Sequence, residues 1–232
     1  VSEFDSSAEG WTVSVRASGN AFMTEVGSYQ PDWLPTGGDP GGCISEVDPD
    51  SNWSFLRAPA LFLGDQSAQS GRELRFSIRT TRLELAEGRL VILIGPGGLA
   101  ISQFTPVPTL NQWTRQRVSL SAGLWKASSN GTGSDADQAR IDAVLAGLDT
   151  LLIGMEYGSD ALEEVVSLDS VYFGVCNADL APPFGTLNFF DVSAFLGLYN
   201  AQDPAADLAP PFGQWNFFDV SEFLAGYNAG CL

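Results

Sequence analysis

Short apolar or alternating runs, broken again and again by Gly, Pro, Asn or Asp, restrict the first three quarters of this chain to β structure. The clearest strand candidates are 11–16, 54–57, 73–79, 90–94, 99–104, 116–120, 151–157 and 167–173. Segments 90–94 and 99–103 flank Gly95-Pro96-Gly97-Gly98, which predicts a hairpin turn. Those glycines lack the Lys and the following helix that a phosphate-cradling loop requires. One helix is expected over 135–148, where Ile141, Val144, Leu145 and Leu148 recur at i, i+3, i+4 and i+7. Many short strands joined by Gly/Pro turns predict a mainly β fold, an antiparallel sandwich.

The remaining segment follows a different rule. Residues 179–199 and 207–227 repeat at a period of 28 with most positions identical, so the tail is a duplication. Each copy ends in a predicted amphipathic helix, with Val192, Phe195, Leu196 and Tyr199 on one face and Val220, Phe223, Leu224 and Tyr227 on the other copy's. Neither helix can bury that face alone, so the two should pack as a pseudo-twofold pair. The Phe189-Phe190 and Phe217-Phe218 pairs serve either this small core or an external contact. Core use is the expectation for a unit short of apolar mass. The chain is therefore read as a sandwich over 1–175 and a small two-helix domain over 176–232.

Charge and residue usage exclude whole classes of function. The chain has no His, which removes Ser-His-Asp and Cys-His nucleophile systems and imidazole-based metal sites. Net charge is −17, and residues 141–232 carry 13 acids and no base. No apolar run approaches the ~18 residues of a membrane span, so no membrane insertion is expected. The scatter Arg72, Arg75, Arg79 and Arg82 is the one candidate for a basic stripe. It reads as a solvated strand face on which Arg75 and Arg79 share a side, so no nucleic-acid partner is expected. Hard cations and neutral ligands such as glycans remain.

Cys176 and Cys231 bracket the tail, while Cys43 stands apart and is expected to be buried. A bridge from Cys176 to Cys231 would close a loop of about 55 residues, worth roughly 4 kcal/mol in the chain-entropy model. It would also place the protein in an oxidising compartment. The opening Val1-Ser2-Glu3-Phe4-Asp5 reads as a processed, mature end.

Particular residues carry a resemblance. Phe4-Asp5 with Gly10-Trp11, then Gly38-Asp-Pro-Gly-Gly-Cys-Ile-Ser45, Trp53-Ser-Phe55, Ala58-Pro59 and Phe62-Leu-Gly-Asp-Gln-Ser67 open the pattern. Trp113, Ala143-Val-Leu-Ala146, Leu151-Leu-Ile153 and Leu168-Asp-Ser-Val-Tyr-Phe173 complete it. Over about 170 residues the chain resembles the laminin IV (laminin B) domain, although that family often has an aromatic where Cys43 stands. The resemblance implies a jelly-roll β-sandwich similar to carbohydrate-binding modules, extracellular and non-catalytic. Jelly rolls of that kind often tie first strand to last with a structural calcium. The matching positions here are Asp5 (or Glu3) and Asp169.

The tail, ending in Gly230-Cys231, resembles a dockerin, whose repeat is a calcium loop followed by a helix. Carried over residue by residue, Asp179 and Asp207 match loop position 1, Asn188 and Asn216 position 9, and Asp191 and Asp219 position 12. Gly185 and Gly213 match the turn glycine. Positions 3 and 5 depart from the pattern, because Ala-Pro-Pro-Phe replaces the expected oxygen ligands. Two carboxylates, an amide and a carbonyl do not fill a shell of six to eight oxygens without several waters. The expectation is a loop shaped by Pro182-Pro183 and Pro210-Pro211, with Phe184 and Phe212 in the cation's place and Asp191 and Asp219 acting as helix caps. The resemblance implies a protein partner held through the helices.

The leading functional reading is a secreted binding protein for a glycan or matrix ligand. Its stacking candidates are the loop tryptophans Trp33, Trp53 and Trp125. A self-assembling structural subunit of a filament, matrix or surface layer is the alternative. A two-carboxylate polysaccharide-active enzyme comes third, because nothing in the chain singles out a pair.

Overall fold

A computed structural model of the chain describes residues 1–17, 24–48, 52–84, 88–158, 164–175, 178–181, 186–209 and 214–230. Two compact units result, Val1–Phe173 and Gly174–Leu232. In the first, β1 (Thr12–Arg16), β2 (Glu25–Tyr29), β5 (Trp53–Arg57), β7 (Leu90–Gly95), β8 (Leu99–Phe104) and β10 (Thr150–Gly154) form one sheet in the order β2-β1-β5-β10-β7-β8. The other sheet runs β3-β4-β11-β6-β9, built from β3 (Asp32–Leu34), β4 (Cys43–Val47), β6 (Glu73–Thr80), β9 (Thr114–Ser119) and β11 (Val165–Val175). The fold is the mainly β, antiparallel two-sheet sandwich that the run pattern implies.

Alternation explains the layering. On β6, Leu74, Phe76 and Ile78 enter the core between the sheets, so Glu73, Arg75, Ser77 and Arg79 face outward. Trp11, Phe4 and Phe62 meet edge to face at the centre, and the Trp11 indole N–H donates to Ser2 Oγ at 3.0 Å. The expected hairpin pairs Leu90 with Phe104 and Gly95 with Leu99, and Gly97 and Gly98 take the positive φ that its tip needs. Helix α1 (Gln138–Leu145) is shorter than the periodicity predicts. Asp137 caps it by accepting from the Arg140 amide at 2.9 Å, and Leu148, though buried, lies beyond its end. Strands β2, β3 and β4 are absent from the sequence reading. They are short, and β2 and β3 lie at sheet edges with mostly exposed residues that show no apolar alternation.

The C-terminal unit has two long helices, α2 (Phe189–Asn200) and α3 (Phe217–Ala229). Its core is a stack of Phe195 on Phe223, with centroids 4.1 Å apart and planes 9° apart, flanked by Tyr199 and Tyr227. The pairing of duplicated faces is therefore as expected, but its membership needs two corrections. Leu196 and Leu224 are exposed rather than part of the buried stripe. The Phe189-Phe190 and Phe217-Phe218 pairs stand outside the core, 61–75% exposed. The cause is the helical period: the inward position one turn before Phe195 is Asp191, and before Phe223 it is Asp219, both fully buried. The carboxylates take the place that the phenylalanines were expected to fill.

Candidate functional site

The two ends of the sandwich unit meet at Asp169. Ser2 pairs with Val171 through two backbone bonds of 2.8 Å, which brings Glu3 and Asp5 to the strand that carries Asp169. Asp169 is fully buried, and its carboxylate accepts from the Asp39 amide and, at 2.6 Å, from the Ser170 amide. A Cβ on Gly38 would lie 2.6 Å from Asp169 Oδ2 and 2.0 Å from Gly42 O, so only glycine lets this loop reach the carboxylate. Burial pushes the Asp169 carboxyl up, the two amides pull it down, and Asp39 and Asp5 push it up again. Glu3, which accepts from the Tyr172 hydroxyl, is raised by burial and then by Asp169, Asp5 and Glu9. Asp5 itself is exposed. Like charges thus gather at this end, although no group of three or more His, Cys, Asp or Glu among the described residues converges as a metal site.

In the tail the anticipated ligands do something else. Asp191 Oδ1 accepts from the Leu180 and Ala181 amides at 2.8 and 2.9 Å, and its Oδ2 accepts from the Asn188 amide at 2.8 Å. Asp219 repeats this with Leu208, Ala209 and Asn216 at 2.7, 3.0 and 2.8 Å. Burial pushes the Asp219 carboxyl up, but the backbone donors outweigh it and hold the group below the ordinary carboxylate range. The caps are Asn188 and Asn216, whose side chains accept from Phe190 and Phe218, so Asp191 and Asp219 are the third members of capping boxes rather than the caps expected. Asp179 is buried and Asp207 half-buried. Backbone N–H groups supply the positive pole around the Asp191 and Asp219 carboxylates. Cys176, Phe184, Gly185, Phe212, Gly213 and Cys231, with the proline pairs 182–183 and 210–211, lie outside the described residues.

The tryptophans separate clearly. Trp125 is fully buried, its indole N–H donating to Ser119 O at 2.7 Å, which corrects its expected role as a ligand platform. The Gly-Leu-Trp-Lys turn directs Leu124 to solvent, 71% exposed, and Trp125 inward. Trp33 is 37% exposed and pinned by its N–H to Phe4 O at 2.7 Å. Trp53 is half-buried against the Phe55, Leu90 and Ile92 cluster, with the Arg89 guanidinium 6.0 Å from its ring. Trp125→Ala should cost about 3–5 kcal/mol in urea unfolding, as large-to-small core changes do, whereas Trp33→Ala should cost less than half as much. Equal losses would overturn this division.

The strand face on which Arg75 and Arg79 were expected to share a side extends across the outside of β6 and β9. The register sets Arg75 opposite Arg117 and Ser77 opposite Arg115. Glu73 is held by Arg75 Nε at 2.7 Å and by Arg117 Nε and Nη2 at 3.0 and 2.9 Å. Burial pushes the Glu73 carboxyl up, but the two guanidiniums outweigh it and leave it low. The Arg79 guanidinium lies 4.8 Å from the Trp113 ring, and the Trp113 N–H donates to Gly37 O at 2.9 Å. Sequence reading could have found the β9 half of this face only through the paired strand 114–119, because the arginines of 115 and 117 cross from a separate run.

A family model described as laminin B (domain IV) matches residues 55–182, more than half of the chain. The chain belongs to the laminin B (domain IV) family. The L4b domain of human laminin α-2 superimposes with a TM-score of 0.52 at 14% identity, covering 70% of this chain and 96% of that one. This likeness shows the fold of the laminin B unit. An exo-β-agarase matches at 11% identity and TM-score 0.46, over 90% of this chain and 31% of its own. A family 30 carbohydrate-binding module of a Clostridium thermocellum cellulase matches at 13% identity and TM-score 0.40, over 69% and 90%. No curated protein sequence matches the chain significantly. The laminin B match includes Trp113, Trp125 and Asp169, and leaves Asp5, Trp33, Trp53 and the second tail repeat outside it.

A buried acid cluster completes the laminin B unit. Glu164 accepts from the Tyr157 and Gly158 amides and from Thr80 Oγ1 at 2.9 Å, and Glu46 accepts from the Tyr29 hydroxyl at 2.7 Å. Glu156 accepts from the Ser54 amide and is pushed up to about 8, first by burial and then by Asp48, Glu46 and Glu164. Burial raises Glu46 too.

Proposed function

We propose that this laminin B domain protein is secreted and non-catalytic, that its sandwich binds a glycan or matrix ligand, and that its tail attaches it to a protein partner. The observation that carries the reading is the tail's four exposed phenylalanines, on a unit that already has its own aromatic core. Membership of the laminin B family supports a binding role for the sandwich. No helix among the described residues is long and apolar enough to cross a membrane. The test is a panel of immobilised glycans and matrix proteins probed with the full chain, beside Trp33→Ala, Trp53→Ala and a Phe189→Ser/Phe217→Ser pair. Ligand binding lost in the tryptophan variants and partner attachment lost in the phenylalanine pair are expected, each with the fold intact. Binding to nothing on the panel overturns the sandwich half of the reading.

Structural calcium belongs to this proposal at the Glu3–Asp5–Asp169 end, where burial raises Glu3 and Asp169, neighbouring carboxylates add to it, and a cation would relieve that added repulsion. Millimolar calcium should raise the Tm of the sandwich over that in EDTA, and Asp169→Asn should remove the difference. An unchanged Tm excludes the site. In the tail, the engagement of Asp191 and Asp219 by backbone donors favours a shape kept without metal.

The exposed phenylalanines also favour a second reading, self-assembly as a structural subunit. Light scattering and electron microscopy in calcium and in EDTA decide it: ordered polymers move it ahead, and a monomer in both removes it.

A further inference from the structure

We infer that the outer β6–β9 face binds the carboxylates of a uronate-bearing polysaccharide, a refinement that rests on the sandwich being the ligand-binding part. In a chain of net charge −17, four of the 11 basic side chains, Arg75, Arg79, Arg115 and Arg117, stand on the outward side of two paired strands. One end of this patch already shows what it grips. Glu73 supplies a carboxylate, and Arg117 meets it with two nitrogens while Arg75 adds a third contact, the fork geometry in which guanidinium matches a planar carboxylate.

At the other end the acid is held more loosely. Arg115, 78% exposed, makes one long contact of 3.4 Å from Nε to Asp39 Oδ2, an oxygen that also accepts from Ser77 Oγ at 2.8 Å. The register ends at Ile78 opposite Thr114, so Arg79 stands diagonal to Arg115, a backbone spacing of about 7–8 Å at which long side chains can reach one ligand. The Trp113 ring lies under the Arg79 guanidinium, and its N–H is tied to Gly37 O. Both groups are thereby held in place before a ligand arrives, which lowers the ordering cost of binding. At ~0.15 M salt the Debye length is ~8 Å, so the remaining acidity of the chain is screened at contact while the arginines act at close range. A polymer with a carboxylate on each sugar meets this end repeatedly and gains from rebinding along its length.

The experiment is affinity electrophoresis and calorimetry of the full chain against sodium polygalacturonate, a neutral galactan and dextran sulfate, with Arg115→Ala and Arg79→Gln beside the wild type. Tm serves as the fold control. Binding of polygalacturonate that falls about tenfold in each variant, weakens as salt rises and leaves the Tm of Arg115→Ala unchanged is the expected result. Polygalacturonate binding that neither variant alters overturns the inference. So does equal, arginine-dependent binding of dextran sulfate, which would make the face a site for any polyanion. Binding of neutral glycans or matrix proteins alone overturns it and leaves the broader binding reading standing. Binding of nothing on either panel removes both.

Discussion

Asp191→Ala is expected to unfold the C-terminal unit while the sandwich stays folded, and Asp219→Ala to do the same. Each carboxylate is fully buried and accepts three backbone N–H groups: two from the loop entrance and one from the cap residue of its own helix. Alanine leaves those donors without their acceptor in a unit whose described aromatic core is one stacked phenylalanine pair, two tyrosines and Trp215. Charge-assisted hydrogen bonds contribute about 1.5–3 kcal/mol each and act here as a set, so a loss of roughly 3–5 kcal/mol is expected. That is a large share of what so small a unit holds. Hydrogen exchange at the Leu180, Ala181, Leu208 and Ala209 amides reports it directly, and the sandwich strands serve as internal reference. Asp191→Asn should fall between, because its amide oxygen can still accept from Leu180 and Ala181 while its NH₂ faces the Asn188 donor. Protection that survives in the alanine variants would show that the loops are held by something other than these carboxylates.

The second large effect is a fall in sandwich stability as pH rises from about 5 to 8. Glu156 is pushed up to about 8 in the folded chain, and its ordinary value is 4.5. Between those values the folded state holds a proton that the unfolded state has released, so raising the pH favours unfolding. The contribution is fully present below the unfolded value and is lost as the pH climbs through the folded one. Its limiting slope is about 1.4 kcal/mol per pH unit, and Glu46, also raised by burial, acts in the same sense. Glu3 and Asp169, also raised, add to the fall, while Glu73 is shifted down and opposes it only in acid, below the ordinary carboxylate range. Glu156→Gln keeps an acceptor for the Ser54 amide and removes the ionisation. It should flatten the Tm–pH curve and stabilise the protein at pH 8. A variant with the wild-type slope would move the proton to another member of the cluster.

Much of the sandwich was legible because burial leaves a local pattern: alternation in Glu73–Thr80, an unbroken apolar run in Leu90–Gly95, and a helical stripe in α1. Leu90–Gly95 with Leu99–Phe104, Glu73–Thr80 and the buried face of α1 each reported their environment locally. The edge strands did not, since Glu25–Tyr29 and Asp32–Leu34 have little buried surface to pattern. Trp125 was misread for a related reason. A tryptophan in a Gly-rich turn looks exposed until the neighbouring strands are in place to enclose it, and here Leu124 took the outward position instead.

The functional surfaces show the same limit more sharply. Duplication of 179–199 at 207–227, the absence of His and the acid-only C-terminal stretch follow from composition and order alone, and they set the two-unit plan and the chemistry that is excluded. Pairing distant residues is a property of the fold. Register placed Arg117 on Glu73, and the loop between β3 and β4 brought Asp39 to Arg115, joining segments some forty or more residues apart. Helix phase alone turned Asp191 inward and Phe189 and Phe190 outward, against what hydrophobicity would suggest. A side chain's tendency to be buried is local, but its partner is decided by which backbone arrives opposite it, and that is settled only when the sheets and helices close.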